Sequence, residues 1–211
     1  DFGGVMTAAK VSINGHNLGE YRGGYTPFSF ELTAHLNWHG ENVLAVEVDS
    51  TERKDIPPFG GDIDYLTFGG IYRDVALRFV PQSFIENVFA KPVNVMSADR
   101  SLEVSCFLDL KSELATPLRL VAELYDGTRL IDSLEGSVKH PQDSLVNIVL
   151  HNLTSISLWD LDRPKLYDVK VKLFDGTRLT DEYTTRIGFR EAKFTPDGFV
   201  LNGQHVKLRG L

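Results

Sequence analysis

The chain has 211 residues, 42% hydrophobic and 24% charged, with a net charge of −7. That is the balance of a globular protein of one large or two small domains. The acidic excess and the lack of a Lys/Arg run argue against nucleic acid or an anionic membrane as a partner, and no apolar stretch nears the roughly 20 residues a spanning helix needs.

The chain opens on Asp1-Phe2-Gly3-Gly4, without an initiator Met or a signal-peptide pattern. It closes in a strand-like run, Val206-Lys207-Leu208-Arg209-Gly210-Leu211. Natural termini tend to be frayed and polar, so the sequence reads as an excerpt from a longer polypeptide, and its cellular compartment is left open. The single cysteine, Cys106, excludes an internal disulfide. Its apolar neighbours Val104, Phe107 and Leu108 mark it as a buried small hydrophobe.

Strand signals dominate between these ends. In chain order, short strands are predicted over Lys10–Ile13, Phe28–Leu32, Val43–Val48, Ile71–Phe79, Glu86–Ala90, Leu102–Leu108, Leu118–Leu124, Leu145–Leu150, Tyr167–Phe174 and Arg178–Thr184. Alternation is clearest in Leu102-Glu103-Val104-Ser105-Cys106 and Val169-Lys170-Val171-Lys172-Leu173, which sets one face on a core and the other in water. Asn-Gly at 14–15 and 202–203, and Asp-Gly at 126–127, 175–176 and 197–198, supply the turn chemistry of tight hairpins. Amphipathic helix is hard to find, so the class is all-β, with sandwiches expected.

A boundary is expected near Val80-Pro81-Gln82. Residues 1–80 hold about five strands where a jelly roll has about eight, so this domain is expected to lack its opening strands. Residues 81–190 have the size and strand spacing of an immunoglobulin-like sandwich. The near-identical runs at 124–130 and 173–179 read as two hairpins with the same turn solution rather than as a repeat.

One connection does not behave like scaffold. About twenty residues, from Asp49 to Gly70, separate two strands, and connections that long are usually functional or disordered. Ile56, Phe59, Ile63, Tyr65, Leu66 and Phe68 give this one apolar surface with which to pack, and Pro57-Pro58 stiffens it.

Several motifs, in order, resemble family two glycoside hydrolases of the β-galactosidase and β-glucuronidase type. The runs 9–19, 23–28 and 41–49, with Gly69-Gly70-Ile71-Tyr72-Arg73-Asp74-Val75, resemble the galactose-binding-like jelly roll that opens those enzymes. Leu158-Trp159-Asp160 with Pro164-Lys165-Leu166-Tyr167 resembles the late strands of their immunoglobulin-like second domain. Arg186-Ile187-Gly188-Phe189-Arg190, then 197–203 and 207–210, is similar to the passage into their catalytic (β/α)₈ barrel, so residues 191–211 are expected to form a hairpin leading into a barrel not contained in the chain.

The resemblance implies the N-terminal region of a retaining, exo-acting β-glycosidase, with β-galactosides first and β-glucuronides second as substrates. It implies no catalytic residue in this chain, because the two catalytic glutamates belong to the barrel. In the family, an acidic residue seven places before the Ile of the Gly-Ile-aromatic-Arg motif reaches into the active site, which here is Asp64, with Asp62 the nearby alternative. A carboxylate there can accept two sugar hydroxyls. Some β-galactosidases of the family also bind a monovalent cation at that place, so the resemblance leaves room for one near Asp64. The chain itself calls for no cofactor, the β-linked saccharide is met through the barrel, and homo-oligomerisation of the parent enzyme is left open.

Other readings carry less. His35 and His39 have the four-residue spacing of a helical metal pair, but they sit in a short connection with no third ligand. Arg73 and Asp74 read as structural ion-pairing groups, and Trp159 as core rather than a sugar platform. A stand-alone carbohydrate-binding module, with Trp38, Phe59, Tyr65 or Phe68 as stacking platforms, and an adhesive tandem sandwich are the rival functions.

Overall fold

The computed structural model describes residues 1–57, 67–111, 114 and 117–210. It is all-β, and its backbone separates into two units, Asp1–Phe79 and Val80–Leu211.

In the first unit, β1 (Val5–Met6), β2 (Ala8–Ile13), β3 (His16–Arg22), β4 (Leu44–Asp49) and β5 (Gly70–Ile71) form two antiparallel sheets, ordered β3-β2-β4 and β1-β5. The centre of the first is β2, because Ala9, Val11 and Ile13 alternate with Lys10 and Ser12 and send the apolar face inward. The β2–β3 hairpin turns on Asn14 (φ 51°) and Gly15 (φ 82°), the left-handed pair that a tight hairpin requires. Phe2, Val5, Ala9, Val11 and Phe28 form the core, with Phe28 stacked between Phe2 (4.8 Å) and Tyr21 (4.2 Å).

Two predicted strands are corrected here. Over 28–32 only Phe28 makes a bridge, to Phe2, and over 71–79 only Ile71 is in a strand, with one further bridge at Val75. Apolar alternation favours an extended chain, but a strand also needs a neighbour for its ladder, and beyond these points no neighbouring strand is present among the described residues.

In the second unit a three-stranded sheet, β10-β7-β6, packs on a four-stranded one, β12-β11-β8-β9, all antiparallel. The strands are β6 (Phe84–Val93), β7 (Ser101–Asp109), β8 (Leu118–Asp126), β9 (Arg129–Val138), β10 (Leu145–Leu150), β11 (Tyr167–Asp175) and β12 (Arg178–Ile187). Alternate residues of β7 (Leu102, Val104, Cys106, Leu108), β8 (Leu118, Leu120, Ala122, Leu124) and β11 (Tyr167, Val169, Val171, Leu173) make the sandwich core. The twin Asp-Gly-Thr-Arg-Leu turns close hairpins on neighbouring strands. Both pair Asp with Arg across the turn (Asp126 with Arg129, Asp175 with Arg178), both carry a bulge, and Ala122 lies opposite its counterpart Val171.

A meander of β13 (Ala192–Thr195), β14 (Gly198–Leu201) and β15 (Gln204–Val206) follows. Asn202 ties it to the sandwich, donating through its side-chain amide to the Trp159 carbonyl (2.9 Å) while its carbonyl oxygen accepts from the Glu191 N–H (3.0 Å). Trp159 is half-buried beneath the Arg190 guanidinium, 5.0 Å from the ring centre.

Cys106 is fully buried, and that burial pushes its thiol up to about 12. The unfolded thiol ionises near 9, so the native state is disfavoured relative to the unfolded one as pH rises from about 9 towards 12. Denaturant midpoints measured across that range should therefore fall for the natural chain and fall less for Cys106→Ala. At pH 8, alkylation of Cys106 should proceed only as fast as the sandwich opens.

Candidate functional site

The two carboxylates singled out in the sequence, Asp62 and Asp64, lie outside the described residues, as do the proposed platforms Phe59 and Tyr65. The structure does describe both ends of the connection that carries them. Its first end leaves β4 through an Asx turn, in which the Thr51 N–H donates to Asp49 Oδ1 (2.9 Å). Bonding to Thr51, through both its side chain and its backbone, holds the Asp49 carboxyl below the usual carboxylate range, with Arg53 and Lys10 adding to the effect.

Arg53 then spans two acids, Asp49 and Asp55, at 3.7 Å each. Ile56 is buried, with its N–H directed to the Arg53 carbonyl (3.4 Å). One apolar side chain and one guanidinium therefore pin the start of the connection against the sheet.

The second end returns to the same place. The Ser50 hydroxyl donates to the Met6 carbonyl (3.0 Å), and Gly70 pairs with Met6 in the β1–β5 ladder. A Cβ on Gly69 would lie 2.6 Å from Ser50 Oγ and 2.7 Å from Ser50 Cβ, so the two ends of the connection touch. A small depression of ≈ 140 Å³ lies at this junction, lined by Met6, Thr7, Ser50, Arg53, Ile56 and Gly69 among others. Gly69→Ala should destabilise the unit by about 1–3 kcal/mol, because Ser50 cannot retreat without losing its bond to Met6. Adding Ser50→Gly removes the clash but also the bond to Met6, so it should recover only part of the loss in a thermal melt.

Next to this stem the outer face of β3-β2-β4 carries a mixed ion-pair surface. Lys10 meets Glu47 (3.4 Å), and Arg22 meets Glu20 (2.6 Å), which lowers the Glu20 carboxyl chiefly through that hydrogen bond. These exposed pairs are solvated and contribute little to stability. Arg73 donates to the Tyr25 carbonyl (3.3 Å) and lies over the Tyr72 ring, whose hydroxyl donates to the Gly24 carbonyl. The expected ion-pairing role of Arg73 is corrected accordingly: among the described residues it joins no carboxylate and instead donates to the 23–25 bend.

His35 stacks on His16 (4.5 Å between ring centres) in a short 3-10 turn, and the described residues hold no cluster of three or more His, Cys, Asp or Glu able to bind a metal. Trp38 and Phe68 are exposed, at 64% and 70%. Sequence reasoning found the long connection but missed its stem. Ser50, Arg53 and Gly69 act through contacts remote in sequence, and only the Asp-Ser-Thr turn signal at 49–51 hinted at them.

Comparison with known proteins gives a consistent result over the whole chain. The family model described as "Glycosyl hydrolases family 2, sugar binding domain" matches residues 1–81, and that described as "Glycosyl hydrolases family 2" matches 83–190. A β-galactosidase of Thermoanaerobacterium thermosulfurigenes is 40% identical over 213 residues, covering 100% of this chain and 30% of that protein. A β-glucuronidase of Bacteroides fragilis is 32% identical over 220 residues, covering 100% of this chain and 31% of its own length. The crystal structure of a Bacteroides uniformis β-glucuronidase matches with a TM-score of 0.88 at 30% identity, over 100% of this chain and 26% of that one. The chain thus spans about 30% of the length of these curated relatives.

Proposed function

The chain belongs to glycosyl hydrolase family 2, and from that premise we propose that it is the N-terminal β-sandwich region of a retaining, exo-acting β-galactosidase. One observation carries this reading: a β-galactosidase is 40% identical along the entire chain, yet the chain covers only 30% of it. Retaining hydrolysis uses an acid/base and a nucleophile about 5–5.5 Å apart. In this reading both belong to a barrel beyond residue 211. The region's own contribution is to scaffold that barrel and to present the 49–70 connection, with Asp64, to the bound sugar.

Two observations favour a β-glucuronide as the second reading: the 32% identical relative from Bacteroides fragilis and the Bacteroides uniformis structure. The test uses the full-length parent enzyme and the 211-residue chain side by side on p-nitrophenyl β-galactoside and β-glucuronide. The parent should turn over the galactoside with at least tenfold higher kcat/KM, and the chain alone should release no nitrophenol. A reversed preference would replace the substrate. Turnover by the chain alone would overturn its role as a non-catalytic region.

A further inference from the structure

The two Asn-Gly turns close the β2–β3 and β14–β15 hairpins, and each asparagine also holds a clasp. At the first, the Asn14 N–H donates to the Val43 carbonyl (2.9 Å), and its side-chain oxygen accepts the Val43 N–H (2.9 Å). Its side-chain amide donates to the His35 carbonyl and to Asn42 Oδ1 (2.8 Å each). At the second, the Asn202 N–H donates to the Glu191 carbonyl (2.8 Å), and its side-chain oxygen accepts the Glu191 N–H (3.0 Å). Its side-chain amide donates to the Trp159 carbonyl (2.9 Å). The two units thus repeat one device. An asparagine at positive φ (51° and 49°) pairs with the chain beside it and fastens a third segment through its amide.

The same two residues carry a chemical liability. The backbone nitrogen of the following residue can attack an asparagine Cγ. A C–N bond forms, ammonia leaves, and the cyclic imide takes up one water to give aspartate or isoaspartate. A following glycine leaves the nitrogen open to this approach, whereas a branched or bulky side chain shields it. Of the nine asparagines in the chain, glycine follows Asn14 and Asn202, and Val, Leu, Ile or Trp follows the other seven. The asparagines most open to the reaction are the two that hold the clasps.

Folding closes the reaction, because Cγ must turn towards the next nitrogen. At Asn14 that rotation breaks bonds to His35, Asn42 and Val43; at Asn202 it breaks bonds to Glu191 and Trp159. The product cannot rebuild them. An aspartate only accepts hydrogen bonds, and the groups that each amide faced are themselves oxygens: His35 O and Asn42 Oδ1 at one clasp, Trp159 O at the other.

We propose that Asn14 and Asn202 are deamidation sites gated by folding: the reaction proceeds when a clasp opens, and its product keeps that clasp from closing. Each unit then carries a one-way record of its own opening, and part of its thermal inactivation is irreversible through a single side chain.

Peptide mapping by mass spectrometry of the 211-residue chain, aged at pH 8 in buffer and in guanidinium chloride, tests the gate. In denaturant Asn14 and Asn202 should convert at similar rates, well ahead of the other asparagines. In buffer both should be slower by about tenfold or more, since only the open fraction reacts. Equal rates in buffer and denaturant would overturn the gate, and this comparison needs no variant to fold. Asn14→Asp and Asn202→Asp supply the product directly, and each should lower the Tm by about 5 °C. Asn17→Asp is the control. Asn17 Oδ1 only accepts the Gly19 N–H, a role aspartate keeps, so its Tm should stay within about 1 °C. If Asn14→Asp and Asn202→Asp melt with the natural chain, the loss of the clasp is wrong. None of these readouts uses glycosidase activity, so this inference and the proposed function stand or fall separately.

Discussion

Asp64→Ala in the full-length parent enzyme should lower kcat/KM for a β-galactoside about 100-fold and leave the melting temperature within about 1 °C. A carboxylate that accepts two sugar hydroxyls makes charge-assisted hydrogen bonds, and loss of roughly 3 kcal/mol of such contacts corresponds to about that factor. Where the loss falls tells what the contact does. A rise in KM at constant kcat marks binding that is equal in ground and transition states, whereas a fall in kcat marks contacts made on the way to the oxocarbenium-like state. Asp62→Ala is the matched comparison: side chains two apart in an extended chain share a face, so the two variants together tell which carboxylate meets the sugar. If Asp64→Ala retains wild-type activity, Asp64 is wrongly assigned. If Asp62→Ala carries the loss instead, the role moves two residues along the same connection.

The largest stability effect is expected at Tyr167. Its ring is 1% exposed, meets Phe189 edge-on (5.5 Å between centres), and its hydroxyl oxygen accepts the Ser157 N–H (2.8 Å). Truncation to alanine removes a large buried side chain and strands that N–H, so Tyr167→Ala should cost about 4 kcal/mol in urea unfolding of the chain. Tyr167→Phe keeps the ring and loses only the acceptor, for about 1 kcal/mol. A Phe variant as damaging as the Ala variant would mean that the hydrogen bond, not the packing, holds the 153–158 connection to the sandwich.

The strands most legible in the sequence are those buried between two neighbours. The strands β2, β7, β8 and β11 each bury every second residue, and each sits inside a sheet with a neighbour on both sides. Where pairing rather than composition makes the strand, periodicity fails. His16–Arg22 is polar and is held in β3 by the Asn14-Gly15 turn, which folds it back on β2. Arg129–Val138 loses its alternation at the bulge opposite Leu124/Tyr125. Conversely, 28–32 and 71–79 alternate well and are not strands, for want of a partner. At the site, length and apolar content drew attention to 49–70, but Asp64 was reached through family resemblance alone. The clasp of Ser50 on Gly69 and Met6 depends on groups far apart in sequence, and no local pattern encodes it.

The backbone bonds that join Asp1 and Gly3 to Ala76 and Asp74 have a temporal consequence. Asp1 and Ala76 are 75 residues apart, so the first ladder of this region cannot close until its last segment has left the ribosome. At about 5–20 residues per second, that is a wait of several seconds during which Phe2 can meet Phe28 but the side of its ladder facing Val75 stays open. The β2–β3 hairpin needs only its own turn and can form in microseconds. The emerging chain therefore offers an early local hairpin beside a late closure between distant segments, and the interval between the two is when a nascent-chain chaperone has most apolar surface to hold.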